Sequence, residues 1–281
     1  MVHAETLAVA YGLASATVWG AGDFSGGVAT RRNDVYSVII VSQLIGVALL
    51  ALLAFLFAER IPSLGALVFG GVGGISGTIG LVALYKGLAS SRMGFVAPVA
   101  AVVTAVLPVI VGILNEGLPS ASRILGFGIA LIAVWLLLGR GNGEAIRLRQ
   151  LRLPVVAGLG FGLFFICIDR VSSSAILWPL IAARIASIGL LTMFAVVRRR
   201  GEIPQGSQLF IIALAGIFDT GGNAFFALAT RVGRLDISAV LSSLYPAATV
   251  LLAYFILRER LVRRQWIGVA SVMVALALIA S

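Results

Sequence analysis

Charge is what this chain has least of. Of its 281 residues, 11% are Asp, Glu, Lys or Arg, against about 25% in an ordinary soluble domain. With 60% hydrophobic residues and a mean hydropathy of +1.09, that shortage makes the chain an integral membrane protein. Cysteine occurs once, as Cys167, so no disulfide can close within the chain. The sole histidine, His3, precedes the first apolar stretch, and there is no His-Glu-x-x-His pair, so an intramembrane metalloprotease or haem enzyme has no support. A Gly-x-x-x-x-Gly-Lys-Ser/Thr phosphate loop is also missing, which excludes ATP as the driving ligand. The expectation is therefore no catalytic residue, no cofactor and no metal.

The charge that remains is basic, +10 net. In a soluble protein that excess would suggest nucleic acid. Here the arginines cluster in short loops between apolar runs, where cationic loops orient a membrane protein and meet anionic lipid. The expected partners are a small-molecule substrate and the lipid bilayer, and no nucleic acid.

Counting apolar stretches long enough to cross about 30 Å of hydrocarbon gives ten spans, near residues 6–29, 35–57, 64–89, 93–114, 120–138, 153–171, 175–197, 208–230, 236–257 and 264–281. The first begins without a Lys/Arg-rich segment and runs on past Trp19 to Ala29, so it reads as a retained helix and not as a cleaved signal. All loops are short except residues 139–152, which hold four arginines. That linker divides the chain into 1–138 and 153–281.

The two parts echo one another. Gly12, Leu13 and Asp23 recur as Gly158, Leu159 and Asp169, with the same spacing of eleven from Gly to Asp. The run from Ile113 through Glu116 matches that from Ile256 through Glu259. Two halves of five spans must cross the membrane in opposite senses, because five is odd. Inverted repeats of this kind place a site at the midplane of many secondary transporters.

The central polar feature lies in Leu209–Thr230, where Asp219, Thr220, Gly221, Gly222 and Asn223 interrupt a membrane-length apolar run. A carboxylate at that depth costs a few kcal/mol and normally faces a bundle interior or a wet cavity. Asp219 and Asn223 are four apart and share a helical face. A structural Asp–Asn contact competes with a substrate site as the reason for them. Arg184, ten residues into its own apolar run, is too deep to snorkel and should pair with an acid, a carbonyl or an anionic substrate group. By depth, Asp219 is its partner.

Further candidates surround these. Trp19 and Asp23 share a face of the first span, and Thr78 and Tyr85 share one on the third. Tyr245 is near mid-span, so its hydroxyl needs a partner. Small residues at four-residue spacing from Gly70 to Gly80, Gly77 included, suit close helix contact or sliding. Gly222 lets another backbone approach or the helix loosen. Pro98, Pro108 and Pro246 each remove a helical hydrogen bond and should bend their helices. Lys86, the only lysine, suits either snorkelling or a site.

Together, the ten spans, the Trp19-Gly20 pair followed by Phe24, Pro246, Glu259-Arg260-Leu261 and Trp266-Ile267-Gly268 resemble the drug/metabolite transporter superfamily, specifically its EamA-type members. The first half departs from the pattern, with Pro98 and Pro108 flanking the position of Pro246 and Asn115-Glu116-Gly117-Leu118 in place of the second-half motif. The resemblance implies an all-α membrane fold of ten transmembrane helices, arranged as two inverted five-helix repeats around a central cavity lined by spans one, three, four, six, eight and nine. It implies a multi-pass secondary transporter of the inner membrane, similar to bacterial exporters of amino acids and metabolites, including the aromatic amino-acid exporters. Trp19, Asp23, Thr78, Tyr85, Arg184, Asp219, Asn223 and Tyr245 are the expected substrate-binding residues. Gly77, Pro98, Gly222 and Pro246 are the expected conformational ones. A monomer suffices for such a site. The alternatives are a multidrug or lipophilic-cation exporter, favoured by a cavity that is mainly aromatic and acidic, and, in other classes, a membrane-embedded enzyme or a scaffold subunit.

Orientation divides the two lines of reasoning. Loops after odd-numbered spans hold fourteen arginines and the opposite side five, which places both termini outside by the positive-inside rule. The superfamily resemblance implies cytoplasmic termini.

Overall fold

A backbone immersed in hydrocarbon must satisfy its own hydrogen bonds, and a helix does so within a single segment. The computed structural model describes residues 2–89, 93–137, 148–198, 204, 206–256, 258 and 262–280. Among these residues all regular structure is helical: α1 (Val2–Ala29), α2 (Val35–Leu56), α3 (Leu64–Ala89), α4 (Met93–Glu116), α5 (Ala121–Leu137), α6 (Leu148–Ser172), α7 (Leu177–Arg198), α8 (Gly206–Val232), α9 (Leu235–Ser242), α10 (Tyr245–Ile256) and α11 (Arg263–Ala280). Seven described segments are long and apolar enough to cross a membrane, with Leu235–Ile256 counted as one, and Ala121–Leu136 is a shorter apolar helix. Helix α6 starts at Leu148, five residues earlier than expected, and so takes up the end of the 139–152 linker. Residues 139–147 of that linker and the Glu259-Arg260-Leu261 motif lie outside the described residues.

The main helix contacts are preserved when residues 1–138 and 153–281 are exchanged. Span one (α1) packs on span eight (α8), and its mate α6 packs on α3. Likewise α6 packs on α4, as α1 packs on the ninth span, α9 with α10. The pairs α5–α11 and α2–α7 map onto themselves. The repeated glycines do equivalent work at these contacts. A Cβ on Gly12 would press on Leu241 of α9, and one on Gly158 would press on Val103 and the Ala100 carbonyl of α4.

The third-span glycines serve two neighbours. Gly70 and Gly74 lie against the α7 backbone at Pro179 and Ala183, while Gly73, Gly77 and Gly80 lie against α6. Close approach of this kind substitutes for the hydrophobic drive that lipid cannot supply.

The prolines behave unequally. In the ninth span the helix breaks at Ser243–Leu244, just before Pro246, which cannot donate the bond that would continue it. In contrast, α4 runs unbroken through both Pro98 and Pro108. A single lost bond is tolerated in a membrane helix where packing against neighbours holds the backbone, and α4 is held by α6 and α9.

Loop residues fix the ends. Asp34 caps α2, its carboxylate accepting from Tyr36 N at 3.0 Å and Ser37 N at 3.2 Å. At the other end of α2, Ala58 adopts the left-handed conformation (φ 48°) and Glu59 N returns to the Ala54 carbonyl at 3.0 Å. That turn aims the Glu59 side chain at α7, where its carboxylate accepts from Ile176 N, Leu177 N and Trp178 N at 2.9, 2.9 and 3.0 Å. An acid at a helix N-terminus answers both orphan donors and the positive end of the dipole.

Candidate functional site

The polar residues of the apolar spans converge. Arg184 of α7 is 4% exposed and donates through Nη1 to Asp219 Oδ2 of α8 at 2.5 Å. The same Nη1 donates to Gln43 Oε1 of α2. Its Nη2 is buried and meets no acceptor in the described structure. Gly46, one turn along α2 from Gln43, lies against the Arg184 guanidinium and the Thr220 hydroxyl and leaves room for both.

Next to this pair is a cavity of about 70 Å³, enough for a few waters. Trp19, Asp23, Gln43, Gly77, Thr78, Thr104, Arg184, Ser187, Asp219, Asn223 and Tyr245 contribute to its wall, as do the rings of Phe161, Phe164 and Phe165. Its lining comes from α1, α2, α3, α4, α6, α7, α8 and α10, so spans two and seven join the six expected. Asp23 makes no hydrogen bond or ion pair among the described residues. At the cavity wall the Thr78 and Ser187 hydroxyls share a hydrogen bond at 2.5 Å, tying α3 to α7, while Thr78 Oγ1 donates to the Gly74 carbonyl at 2.7 Å.

One wall is a stack of rings. Phe165 and Phe226 lie 4.0 Å apart between centroids, and Trp19 stacks on Phe165 at 5.3 Å and on Phe226 at 5.9 Å. Gly222 makes this stack possible, since a Cβ there would overlap the Trp19 indole. Helix α8 does not loosen at Gly221-Gly222; it is continuous from Gly206 to Val232. The neighbouring Gly20 performs the same service for α10, admitting Ala248 and the Tyr245 carbonyl, and Thr249 Oγ1 donates to the Gly20 carbonyl at 3.2 Å.

Eight of the twelve expected residues therefore meet around one cavity: Trp19, Asp23, Gly77, Thr78, Arg184, Asp219, Asn223 and Tyr245. Tyr85 does not line it; at 1% exposure it is core, its ring against Gly26. Pro98 lies within α4, Gly222 behind Trp19, and Pro246 at the helix break. Lys86 is also elsewhere, its Nζ donating to Tyr36 Oη at 2.6 Å. Gln43, Thr104 and Ser187 were missed from the sequence. Gln43 had a readable signal, a lone amide in the middle of an apolar span.

In many secondary transporters the site lies at the meeting point of two such halves. Residues 151–281 match the EamA-like transporter family. That match supports the drug/metabolite transporter superfamily, and a membrane transporter in place of an enzyme. A solved crystal structure, described only as that of a protein, superposes with a TM-score of 0.80 at 16% identity, covering 97% of each chain. It shows the fold alone. A structure of the sodium-calcium exchanger NCX_Mj, 13% identical over 100% of this chain and 99% of its own, has a TM-score of 0.18 and carries no argument. No curated protein matches the chain.

Proposed function

We propose that the protein is an inner-membrane secondary transporter that exports amino acids or similar zwitterionic metabolites by alternating access. One observation carries the substrate class: Asp23, with no hydrogen bond or ion pair among the described residues, and Arg184, whose Nη2 meets no described acceptor, line the same aromatic-walled cavity. A zwitterion supplies one group for each. Its ammonium answers Asp23, its carboxylate answers Arg184, and an apolar side chain lies against Trp19, Phe161, Phe164 and Phe165. At about 70 Å³ the cavity holds a few waters, so the amino acid enters in a more open state of the cycle, where the ring wall favours aromatic side chains.

Alternating access is supported by the exchangeable packing of the halves. Two five-helix bodies rocking about the cavity would expose it to each side in turn. Two glycine-lined seams are smooth enough for such motion, α3 on α6 and α3 on α7.

A second reading, export of lipophilic cations, is favoured by a different feature. Asp219 already answers Arg184, which leaves a cavity of aromatic rings and one unanswered acid. One experiment separates the two. Purified protein in liposomes is loaded with labelled phenylalanine, and efflux is competed with phenethylamine, which lacks the carboxylate, and with 3-phenylpropionate, which lacks the amine. The zwitterion reading requires both analogues to compete far more weakly than phenylalanine. Strong competition by the amine alone would transfer the assignment to organic cations. Absence of transport across a full panel of amino acids would sink it.

A further inference from the structure

A second cavity, of about 340 Å³, lies away from the first at the helix ends on the side of the chain termini. Its wall comes from both halves: Glu5, Ala8 and Val9 of α1, Arg123 of α5, Arg231 and Val232 at the end of α8, Gly233 and Arg234 just after it, Ile237 of α9 and Ile279 of α11. Three guanidiniums reach it, in three different electrostatic conditions. Arg234 is fully engaged, forking onto Asp236 with Nε at 3.1 Å and Nη2 at 2.8 Å. Arg123 pairs through Nη2 with Glu5 at 3.1 Å, while its Nε is buried and donates to nothing described. Arg231 enters no hydrogen bond or ion pair among the described residues. Opposite these charges the wall is apolar, formed by Ala8, Val9, Val232, Ile237 and Ile279. Leu7 and Ile124, adjacent in sequence to two of the lining residues, are exposed.

We propose that this cavity binds a phosphate group, held by Arg123 and Arg231. A planar guanidinium fork matches phosphate oxygens. Arg234 is answered by Asp236 and, at 3.7 Å, by Glu116, and Arg123 is answered by Glu5, so Arg231 is the one guanidinium of the three that pairs with no described residue. A singly charged phosphodiester asks less of that single cation than a doubly charged free phosphate does. The apolar wall suits the glycerol and the first acyl carbons of a lipid. The position, at the end of the hydrocarbon, is where a basic pocket between helices meets a headgroup. An occupant there would bridge α1 and α5 of the first half to α8, α9 and α11 of the second.

The test is a thermal-shift and native mass-spectrometry titration of the full chain in a neutral detergent. The probes are short-chain phosphatidylglycerol, phosphatidylcholine of the same chain length, and inorganic phosphate. Phosphatidylglycerol should bind and raise the melting temperature, and phosphatidylcholine should do so far less. Arg231→Gln, a change at an exposed residue with no pairing to break, should weaken binding about tenfold, the worth of one charge-assisted contact. Glu5→Gln should tighten binding, because it frees Arg123 from its competing carboxylate. Competition by millimolar inorganic phosphate would support the same site with a free anion as its source, and failure to compete would support the lipid. Equal binding of phosphatidylcholine, or phosphatidylglycerol binding unchanged by both substitutions, would overturn the proposal.

Discussion

Two ion-pair clusters in this molecule look alike as residue lists and differ in how far they are satisfied. At the helix ends, Arg234 uses every nitrogen: Nε and Nη2 on Asp236, Nη1 on the Glu116 carbonyl at 3.2 Å, and Nη2 again on the Gly117 carbonyl at 2.8 Å. Asp236, 0% exposed, also accepts from Ile237 N at 2.8 Å. The Asp236 hydrogen bond, the largest influence, pushes the Arg234 guanidinium still higher, so it stays charged at any physiological pH. This cluster stitches the end of α4, in the first half, to the start of α9, in the second. At mid-membrane, Arg184 is buried with Nη2 meeting no described acceptor, and Asp23 lines the same cavity with no hydrogen bond or ion pair among the described residues. A saturated cluster has nothing left to offer a ligand, whereas an unsaturated one in a low-dielectric site is costly unless something completes it. The difference separates a structural stitch from a binding site more sharply than burial or charge alone.

The mid-membrane pair gives the largest expected effect. Asp219→Asn or Arg184→Gln alone strands a buried charge and should cost about 3–5 kcal/mol of stability. The double variant should recover most of that loss, because no charge is left unpaired. Flux should be absent from all three. The readouts are thermal stability in detergent and flux in liposomes across the full cycle, and a double variant that transports normally would reduce the pair to packing.

Arg234→Gln should be milder in stability and opposite in function. It leaves Asp236 buried but still hydrogen-bonded to its own helix start, so the loss should be about 2 kcal/mol. Transport per folded molecule should persist, since nothing in that cluster faces the central cavity. A variant that is stable yet inactive would show that the α4–α9 stitch belongs to the transport cycle itself.

This contrast also marks how much was legible beforehand. Membrane-length runs are readable because hydrocarbon demands unbroken apolar helix, and a helix occupies each of the ten expected segments. The depth match between Arg184 and Asp219 was readable for the same reason, since an arginine ten residues into an apolar run must find an acid or a carbonyl. Satisfaction was not readable. How fully Arg184 is answered depends on where Gln43 of α2 arrives, and Gln43 shares no sequence period with Asp219. The unequal fate of the prolines was hidden too. Pro108 and Pro246 delete the same bond, yet only the chain before Pro246 breaks, a choice made by the helices packed around it. Glu59 shows the limit most plainly, because a loop acid caps a helix that starts 118 residues later.

The Glu59 cap is a second saturated arrangement, and its support can be improved. Ala58 holds a left-handed backbone that costs an L-residue about 1–2 kcal/mol and glycine little. Ala58→Gly should therefore raise stability, by about 1 kcal/mol once the unfolded-state entropy of glycine is counted. Flux should be unchanged. Thermal unfolding checks it, and a loss of stability would mean that the turn does not set the Glu59 contact with α7.

The smallest expected change in stability is the most informative about function. Asp23→Asn removes a carboxylate that nothing answers, so folding loses no ion pair and sheds a desolvated charge. Stability should stay level or rise, by no more than about 1 kcal/mol. If Asp23 holds the substrate ammonium, flux should nonetheless collapse, and the variant should lose binding of the zwitterion and of phenethylamine alike while remaining indifferent to 3-phenylpropionate. Asp23→Glu, which keeps the charge one methylene further out, should restore part of both. Loss of stability in Asp23→Asn comparable to that in Asp219→Asn would place Asp23 with the saturated residues, as part of the scaffold. Full flux in a stable Asp23→Asn protein would leave the cavity without its cation partner and the zwitterion reading without half of its argument.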